Sequence, residues 1–472
     1  MKKNRIKTLW VLAAATALLM AGGCANPLLT PAVPDIADYL AASPSPEAPT
    51  ADGDAAVAGA PLELAACVRI ALADNPVGQA AREGVAAARE NIGIARSRFY
   101  PQVGLTGSYR RWESHAFLPD SLSGAMASTP ATVGPTDDWS AGGVASFYLF
   151  DSGRRRAQLL AAKAQWGAQQ AEQAAVEQDI ALNVHQAFYS LLAAQESLRV
   201  AQENSARAED HWRLTQDRKS AGMAVQADVL RAQVEVADLR LAIVRAEHGV
   251  RVARGNLNLA MGLPAEMPVE IDSAAPGAPV EPAPLADDLA TAMEQRPELR
   301  AALNRVASAR SGVSAAKSEF GPAVKADARY GWRDTEFTPE DKDWLIGVGI
   351  ELPLFTGFSR THQLQRARHE LSKEEALVRQ LALTIRQEVW DAHSRVQEAM
   401  EALDAAGTLV ASARESQRLS RQRFEAGTNT ITDLLDAEAA QARAEGLQVE
   451  ARWNYFISRA ALARAIGAMD TK

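Results

Sequence analysis

The sequence has very few cysteines, few aromatic residues and no excess of positive charge. Only Cys24 and Cys67 occur among its 472 residues, so a disulfide framework is excluded. Aromatic residues make up 6% of the chain, and the formal net charge is −8. A negative chain without a dominant basic stripe argues against a nucleic-acid partner.

Catalytic motifs are also missing. The seven histidines are scattered, and the segment over 369–373 begins like a zinc motif but has lysine where the second histidine must stand. No phosphate-binding loop, nucleophile elbow or cysteine–histidine set occurs. We therefore expect no enzymatic activity, no metal site and no cofactor.

The first 24 residues have the pattern of an export signal. A basic segment is followed by an apolar run over 9–20, which is too short for a comfortable membrane span, and then by the letters AGGC ending at Cys24. Small residues before a cysteine resemble a bacterial lipoprotein signal. The resemblance implies a signal peptide over 1–23, a covalent lipid on Cys24 and an acylated flexible leader over 24–60. An ordinary secretory signal cut just before Cys24 is the alternative.

Ala25 and Cys67 allow two further predictions. Ala25 follows Cys24, and the lack of an aspartate there argues against retention in the inner membrane. Cys67 lies on the apolar face of a short predicted helix. We expect Cys67 to be a small core residue.

The most informative feature that is present is a long internal repeat, which indicates a duplicated structural unit. Two constant offsets relate its copies, and the difference between them places a longer loop in the first copy between Tyr109 and Phe150. The pairs at an offset of 221 are Pro76 with Pro297, Ser97 with Ser318, Pro101 with Pro322 and Tyr109 with Tyr330. The pairs at an offset of 205 are Phe150 with Phe355, Arg218 with Arg423, Gly222 with Gly427, Asp228 with Asp433 and Gly262 with Gly467.

Both copies predict the same order of elements. Alternating apolar and polar residues predict a hairpin, and apolar residues spaced seven apart without proline predict a long coiled-coil helix. A glycine turn and a return helix follow. The predicted ranges are a first repeat over 61–268 with hairpin 102–150, long helix 153–220 and return helix 225–262, a linker over 269–286, and a second repeat over 287–469 with hairpin 323–355, long helix 359–425 and return helix 430–467.

The predicted strands cannot form a complete membrane structure within one chain. Two hairpins give four strands, and an open sheet edge facing lipid would leave backbone groups unpaired. Two chains would give about eight strands and a filled lumen, whereas three would give about twelve and room for a channel. The polar face formed by Lys325, Asp327 and Arg329 suits a wet lumen and favours three chains.

The duplicated unit resembles the TolC-like outer-membrane efflux protein family. The tip sequence RFEAGTNTITDLLDAEAA over 423–440 is the most specific match, and the pattern covers almost all of residues 62–469. The resemblance implies a mostly α fold with membrane β structure, in which a long α-helical coiled-coil barrel joins a trimeric 12-stranded β-barrel with four strands per chain. The lipoprotein signal resembles members that partner pumps of the resistance-nodulation-division type.

The resemblance also implies a location and partners. A homotrimer in the outer membrane of a Gram-negative cell, lipid-anchored and reaching into the periplasm, would dock on a periplasmic adaptor (membrane fusion) protein and an inner-membrane pump. It would export small molecules.

The same family likeness suggests a periplasmic gate at the second tip. Phe424 stands where the family has tyrosine, and Asn429 stands where it has arginine, so we expect a gate held more by packing than by ion pairs. Asp433 and Asp436 match the family's acidic pair, and in a trimer their six carboxylates would ring a narrow opening and attract cations. The alternative for Asp433 is a role at the start of a helix.

The likeness further suggests that both tips meet the adaptor, through Arg218 and Gly222 in the first repeat and Arg423 and Gly427 in the second. The simpler alternative is local: a cation near a helix C-terminus stabilises the helix dipole, and glycine supplies a positive φ.

Two rival functions remain open. The chain could be the exit duct of a type I protein secretion system, or a surface-anchored coiled-coil stalk without a transport function.

Overall fold

The computed structural model describes residues 61–115, 132–272, 277–337 and 341–470. The predicted signal peptide, Cys24 and the whole of the predicted leader lie outside the described residues. Two short helices open each repeat, a β-hairpin follows, and two long helices close it. The elements are α1 (Leu64–Asp74), α2 (Pro76–Ser97), β1 (Gln102–His115), β2 (Thr132–Phe150), α3 (Arg154–Ser220), α4 (Gln226–Met261), α5 (Leu285–Gln295), α6 (Pro297–Ser318), β3 (Ala323–Asp334), β4 (Lys342–Glu351), α7 (Ser359–Glu425) and α8 (Ile431–Ala465).

The four strands form one antiparallel sheet in the order β1-β2-β3-β4. The repeats meet at the β2–β3 junction, where Gly142 pairs with Gly331 so closely that a Cβ on Gly142 would lie 2.6 Å from the carbonyl oxygen of Tyr330. Strand β4 ends at Glu351, before the end of the predicted hairpin, because Pro353 has no N–H to donate to a ladder.

The sheet exposes large apolar side chains rather than covering them. Leu105 is 92% exposed, and Val103, Ile346 and Ile350 are also largely exposed. Among the described residues, strands β1 and β4 each pair with another strand on one side only. A sheet with two free edges and bare apolar side chains suits a lipid environment and further strands from other chains.

The long helices α3 and α7 contain 67 residues each, which corresponds to about 100 Å of rise. Their buried positions are largely alanine and valine, for example Ala168, Ala181 and Val184 in α3, and small residues let neighbouring helices approach closely. Helix α3 packs against α2, α4, α6 and α8 and therefore connects both repeats. None of the helices in the described ranges combines the length and the hydropathy needed to cross a bilayer.

The junctions where the return helices end are built alike in the two repeats. In the first, the Asn75 side chain donates to the carbonyl oxygen of Ala260 at 3.0 Å and accepts from the amide of Val77, which caps α2. In the second, Arg296 donates to the carbonyl oxygen of Ala465, also at 3.0 Å. Asn75 and Arg296 occupy equivalent positions, and each donates to an equivalent carbonyl oxygen at the end of a return helix, although the side chains differ.

Cys67 is fully buried in α1 and has no disulfide partner among the described residues, as expected of a core residue. Burial raises the pKa of its thiol to about 11, although a backbone hydrogen bond opposes the change. Close to α1, Leu62 forms an isolated parallel bridge with Ile271, which ties the start of the first repeat to the linker.

Candidate functional site

The tips of the two repeats are helix endings with the same backbone hydrogen-bond pattern. Gly222 and Gly427 both have φ +75°, and each is followed by an amide that reaches back five residues. The amide of Met223 donates to the carbonyl oxygen of Arg218 at 2.8 Å, and the amide of Thr428 donates to that of Arg423 at 2.9 Å. These are Schellman endings, in which glycine occupies a left-handed position that other residues adopt at a cost. The local role expected for both glycines is therefore present in the structure.

Arg218 does not remain within its own tip. Its guanidinium donates to the carbonyl oxygens of Phe424 at 2.8 Å and Glu425 at 2.9 Å, and it lies 4.3 Å from the centroid of the Phe424 ring. The positive group thus meets the negative end of α7 and an aromatic face together. Sequence reasoning missed this link between the tips, because nothing in the sequence shows that α3 and α7 end side by side.

Phe424 packs in a small apolar cluster just above the turn. The ring is buried against Ile431 and Leu434, with Leu214 and Leu435 partly buried beside them. A tyrosine hydroxyl at this position would need a polar partner, whereas phenylalanine needs only apolar neighbours. Within one chain, packing and the Arg218 contact therefore hold this tip.

Asp433 lies at the start of α8 in a capping box. Its carboxylate accepts from the Thr430 amide at 3.0 Å and from the Thr430 hydroxyl at 2.6 Å, while the Asp433 amide donates to that hydroxyl at 3.3 Å. The side-chain hydrogen bond from Thr430, followed by the backbone one, lowers the pKa of Asp433 below its ordinary value. The helix-start role is thus occupied by Asp433, and the carboxylate is ionised at neutral pH.

Asp436 and Asn429 are placed differently. Asp436 is exposed one turn further along α8, on the same face as Asp433, and its carboxylate has no hydrogen-bond or ion-pair partner in the described ranges. Asn429 is half-buried in the turn. In the first repeat, the residue equivalent to Asp436 is Arg231, which pairs with Asp228 at 3.4 Å. Of the two described tips, only the second therefore carries two carboxylates without an ion-pair partner on one helix face.

A buried polar network lies along the helices above the tips. Glu445 of α8 accepts from Arg207 of α3 at 2.9 Å, from Arg414 of α7 at 3.2 Å and from Gln441 at 2.9 Å. Burial by itself raises the pKa of Glu445, but the hydrogen bonds from Gln441 and Arg207 and the charge of Arg207 outweigh it and lower that pKa. Sequence reasoning missed this network, because the only trace of it in the sequence is a glutamate that follows Ala444 in a predicted helix.

A second polar contact joins α3 to α8 nearer the tip. His211 Nε2 lies 2.5 Å from a carboxylate oxygen of Glu438. Together with Glu445–Arg207 and Arg218, this contact holds the first repeat to the second over several helical turns. No group of three or more potential metal ligands is found in the described part of the chain.

The sequence matches a described family over both repeats. The profile of the family described as "Outer membrane efflux protein" matches residues 67–263 and 289–468. Protein CyaE of Bordetella pertussis is 28% identical over 388 residues, covering 80% of this chain and 78% of that protein. The toluene efflux pump outer membrane protein TtgC of Pseudomonas putida is 26% identical, covering 85% and 82%.

Solved structures share the fold. The outer-membrane channel OprN has a TM-score of 0.73 at 22% identity, covering 86% of this chain and 90% of that one. The open-state MtrE outer membrane channel of Neisseria gonorrhoeae has a TM-score of 0.71 at 22% identity, covering 87% and 90%. These likenesses confirm the predicted fold class of long helices joined to four strands. With both repeats matched by its profile, the chain belongs to the outer membrane efflux protein family.

Proposed function

We propose that three copies of this outer-membrane efflux protein form a continuous exit duct, with a twelve-stranded barrel in the membrane and a helical tunnel below it. The observation that carries the proposal is the open four-stranded sheet. Its apolar side chains are exposed and its edges β1 and β4 are free, so it needs strands from further copies in lipid. Family membership excludes the alternative of a stalk without a transport function.

The proposed cargo is small molecules. One relative that covers most of the chain is named a toluene efflux pump outer membrane protein, which supports export of small apolar compounds. In this proposal a periplasmic adaptor protein and an inner-membrane pump deliver the cargo, and the glycine turns at Gly222 and Gly427 meet the adaptor. Within a single chain Arg423 has no partner among the described residues, whereas Arg218 would have to exchange its bonds to the second tip to reach an adaptor.

A first experiment tests the duct itself. Full-length protein purified in mild detergent should have the mass of a trimer and should produce stepwise currents in planar lipid bilayers. Cells lacking the protein should accumulate a fluorescent efflux substrate such as ethidium, and restoring the protein should reverse the accumulation. A monomer without conductance would overturn the proposal. A conducting trimer whose loss blocks secretion of a protein, with ethidium efflux unchanged, would favour the type I secretion duct.

The proposed gate is the ring of Asp433 and Asp436 carboxylates from three copies, with Phe424 and Asn429 beside it. Asp436 is the better test residue because Asp433 already serves the helix start. Asp436→Ala should weaken block of the current by divalent cations, since a ring of carboxylates binds cations. Asp228→Ala in the first repeat is the matched control and should leave the block unchanged. Unchanged block in both variants would remove Asp436 from the gate.

The proposed anchor is a lipid on Cys24, which would add membrane affinity beyond that of the sheet. Mass spectrometry of the N-terminal peptide should show a diacylglyceryl group and an amide-linked acyl chain on this cysteine. An unmodified Cys24, or cleavage elsewhere, would indicate an ordinary secretory signal.

A further inference from the structure

Residues of the first repeat have equivalents 205 positions later in the second. A contact between a residue of one repeat and a residue of the other therefore has an equivalent pair of residues, and among the described residues of a single chain that second pair is not in contact. Within the chain, α3 of the first repeat packs against α8 of the second. The equivalents of this pair are α7 and α4, which make no comparable contact in the described part of the chain. Both helices instead expose apolar side chains, including Leu383 and Leu419 on α7 and Leu230 and Val234 on α4.

The same is true of the arginines at the tips. Arg218 is bound to the end of α7, but its equivalent Arg423 is exposed, and its guanidinium has no hydrogen-bond or ion-pair partner within the described ranges. The acceptors of Arg218 are the carbonyl oxygens of Phe424 and Glu425, whose equivalents are those of Lys219 and Ser220 at the end of α3. The Lys219 oxygen accepts the Gly222 amide at 2.9 Å, as the Phe424 oxygen accepts the Gly427 amide at 3.0 Å, so the backbone presents the same acceptors.

We infer that the missing partner of Arg423 is a second copy of this chain, in which the guanidinium binds the Lys219 and Ser220 carbonyl oxygens at the C-terminus of α3. This inference rests on the proposed assembly and names the contact that closes it at the tips. A guanidinium at the negative end of a helix is electrostatically complementary. The surface on α7 around Arg423 and Leu419, and the facing surface on α4 around Leu230, form the seam between copies.

Apolar side chains along this seam follow the same relation. Leu214 packs on the cluster of Phe424, Ile431 and Leu434 inside the chain. Its equivalent Leu419 is 40% exposed, and Leu230, the equivalent of Leu435 beside that cluster, is 51% exposed. By this equivalence Leu419 of one copy lies near Leu230 of the next in the inferred seam.

The seam is weaker than the junction inside the chain. The residue equivalent to Phe424 is Lys219, so the aromatic face under the guanidinium is replaced by an ammonium group that repels it. The residues equivalent to Glu445 and Arg207 are Arg240 and Ser412, so the buried ion pair has no counterpart.

Cross-linking tests the placement of the seam. Leu419→Cys combined with Leu230→Cys, treated with a short bismaleimide in assembled protein, should give covalent dimers and trimers above the level of either single variant. The matched control is Leu214→Cys with Leu435→Cys, which should cross-link within one chain and stay at monomer mass. A trimer that conducts but yields only monomer-mass product from the first pair would overturn the inference and leave the proposed duct standing.

Channel recording tests Arg423. Arg423→Ala should raise the open probability of the resting channel several-fold, because it removes the polar contact inferred for the seam at the tips, and Arg423→Lys should restore part of the closure. Arg421→Ala is the matched control, since Arg421 is exposed and pairs with Glu425 of its own helix at 3.0 Å. Equal open probability in wild type and Arg423→Ala, with trimer mass intact, would refute the clamp.

Discussion

At the first tip, α4 begins after Val225 without a side-chain cap, whereas at the second tip Thr430 and Asp433 form a capping box. The backbone turns are nevertheless the same, with a glycine at φ +75° in each. The two repeats have therefore kept the same backbone turn, which a single glycine at the end of a helix specifies. Their side-chain contacts around that turn have diverged. Some of the contacts that differ lie within a repeat, as the caps do, and others, such as those of Arg218, join the two repeats.

The largest effect is expected at the sheet. Gly142 approaches Gly331 so closely that a Cβ would lie 2.8 Å from the Cα of Gly331, but its equivalent Gly347 has no atom within 4 Å of such a Cβ. Gly142→Ala should prevent β2 from pairing with β3 and abolish the oligomer, measured by gel mobility of unheated outer-membrane samples. Gly143→Ala in the same inner strand is the control and should assemble normally, because its added Cβ would lie 3.9 Å from the nearest atom, the carbonyl oxygen of Tyr330. A full yield of oligomer from Gly142→Ala would show that the strands can move apart without loss.

The next effect compares the residues that hold the ends of the return helices. Arg296 is buried and also binds Glu298 at 3.0 Å and Glu388 at 2.8 Å, so Arg296→Ala leaves a carbonyl and the Glu388 carboxylate without this donor, while Glu298 keeps its pair with Arg464. We expect a loss of about 3 kcal/mol, at the low end for a broken buried pair because Glu388 is half-exposed. Asn75→Ala, which removes a cap and one hydrogen bond, should cost about 1 kcal/mol. Urea unfolding followed by circular dichroism measures both, and equal losses would contradict the ranking.

A smaller effect is expected at Glu445, whose equivalent Arg240 pairs with Glu209 on the protein surface. Glu445→Gln should cost about 2 kcal/mol at pH 7, because Arg207 and Arg414 lose their buried anion. Since the pKa of Glu445 is lowered in the folded protein, its contribution is complete above the ordinary glutamate pKa and is lost as the pH falls through the lowered value.

Unfolding free energies of wild type and Glu445→Gln should therefore converge in acid. Arg240→Ala is the control and should change stability by no more than about 0.5 kcal/mol. A difference between wild type and Glu445→Gln that stayed constant from pH 7 down to acid would contradict the assigned ionisation of Glu445.

The smallest effect concerns the caps themselves. Thr430→Ala should destabilise the start of α8 by about 1 kcal/mol. Val225→Thr should give the first tip the cap it lacks, because Asp228 already stands three residues later, and should slow amide exchange in the first turn of α4. Hydrogen exchange followed by mass spectrometry measures both. Faster amide exchange in Val225→Thr would contradict this prediction, and would indicate that Asp228 stays paired with Arg231 and does not form a capping box with Thr at position 225.

Much of the fold was predictable from the sequence because its signals are local. Proline before a helix, alternation in strands, heptad spacing in α3 and α7 and glycine at the turns each act within a few residues. The contact of Arg218 with Phe424 was not predictable, because 206 positions separate the residues and the sequence does not show which helix ends meet.

The candidate site was predictable only in part. The helix-start role of Asp433 follows from the spacing of Thr430 and Asp433, and the structure shows it. Glu445 is buried because another helix covers it. The amino acids around Glu445 in the sequence do not show which helix that is, so its burial was not predictable. The ring formed by Asp436 stays a prediction, since it depends on neighbouring copies.

Burial of Cys67 has a consequence for chemistry in an oxidising compartment. With a pKa of about 11, only about one thiol in ten thousand is a thiolate at pH 7, and thiol–disulfide exchange proceeds through the thiolate. Once the chain is folded, this thiol therefore takes little part in thiol–disulfide exchange. Probes attached to engineered cysteines will consequently report on their own positions, with no need to replace the native one.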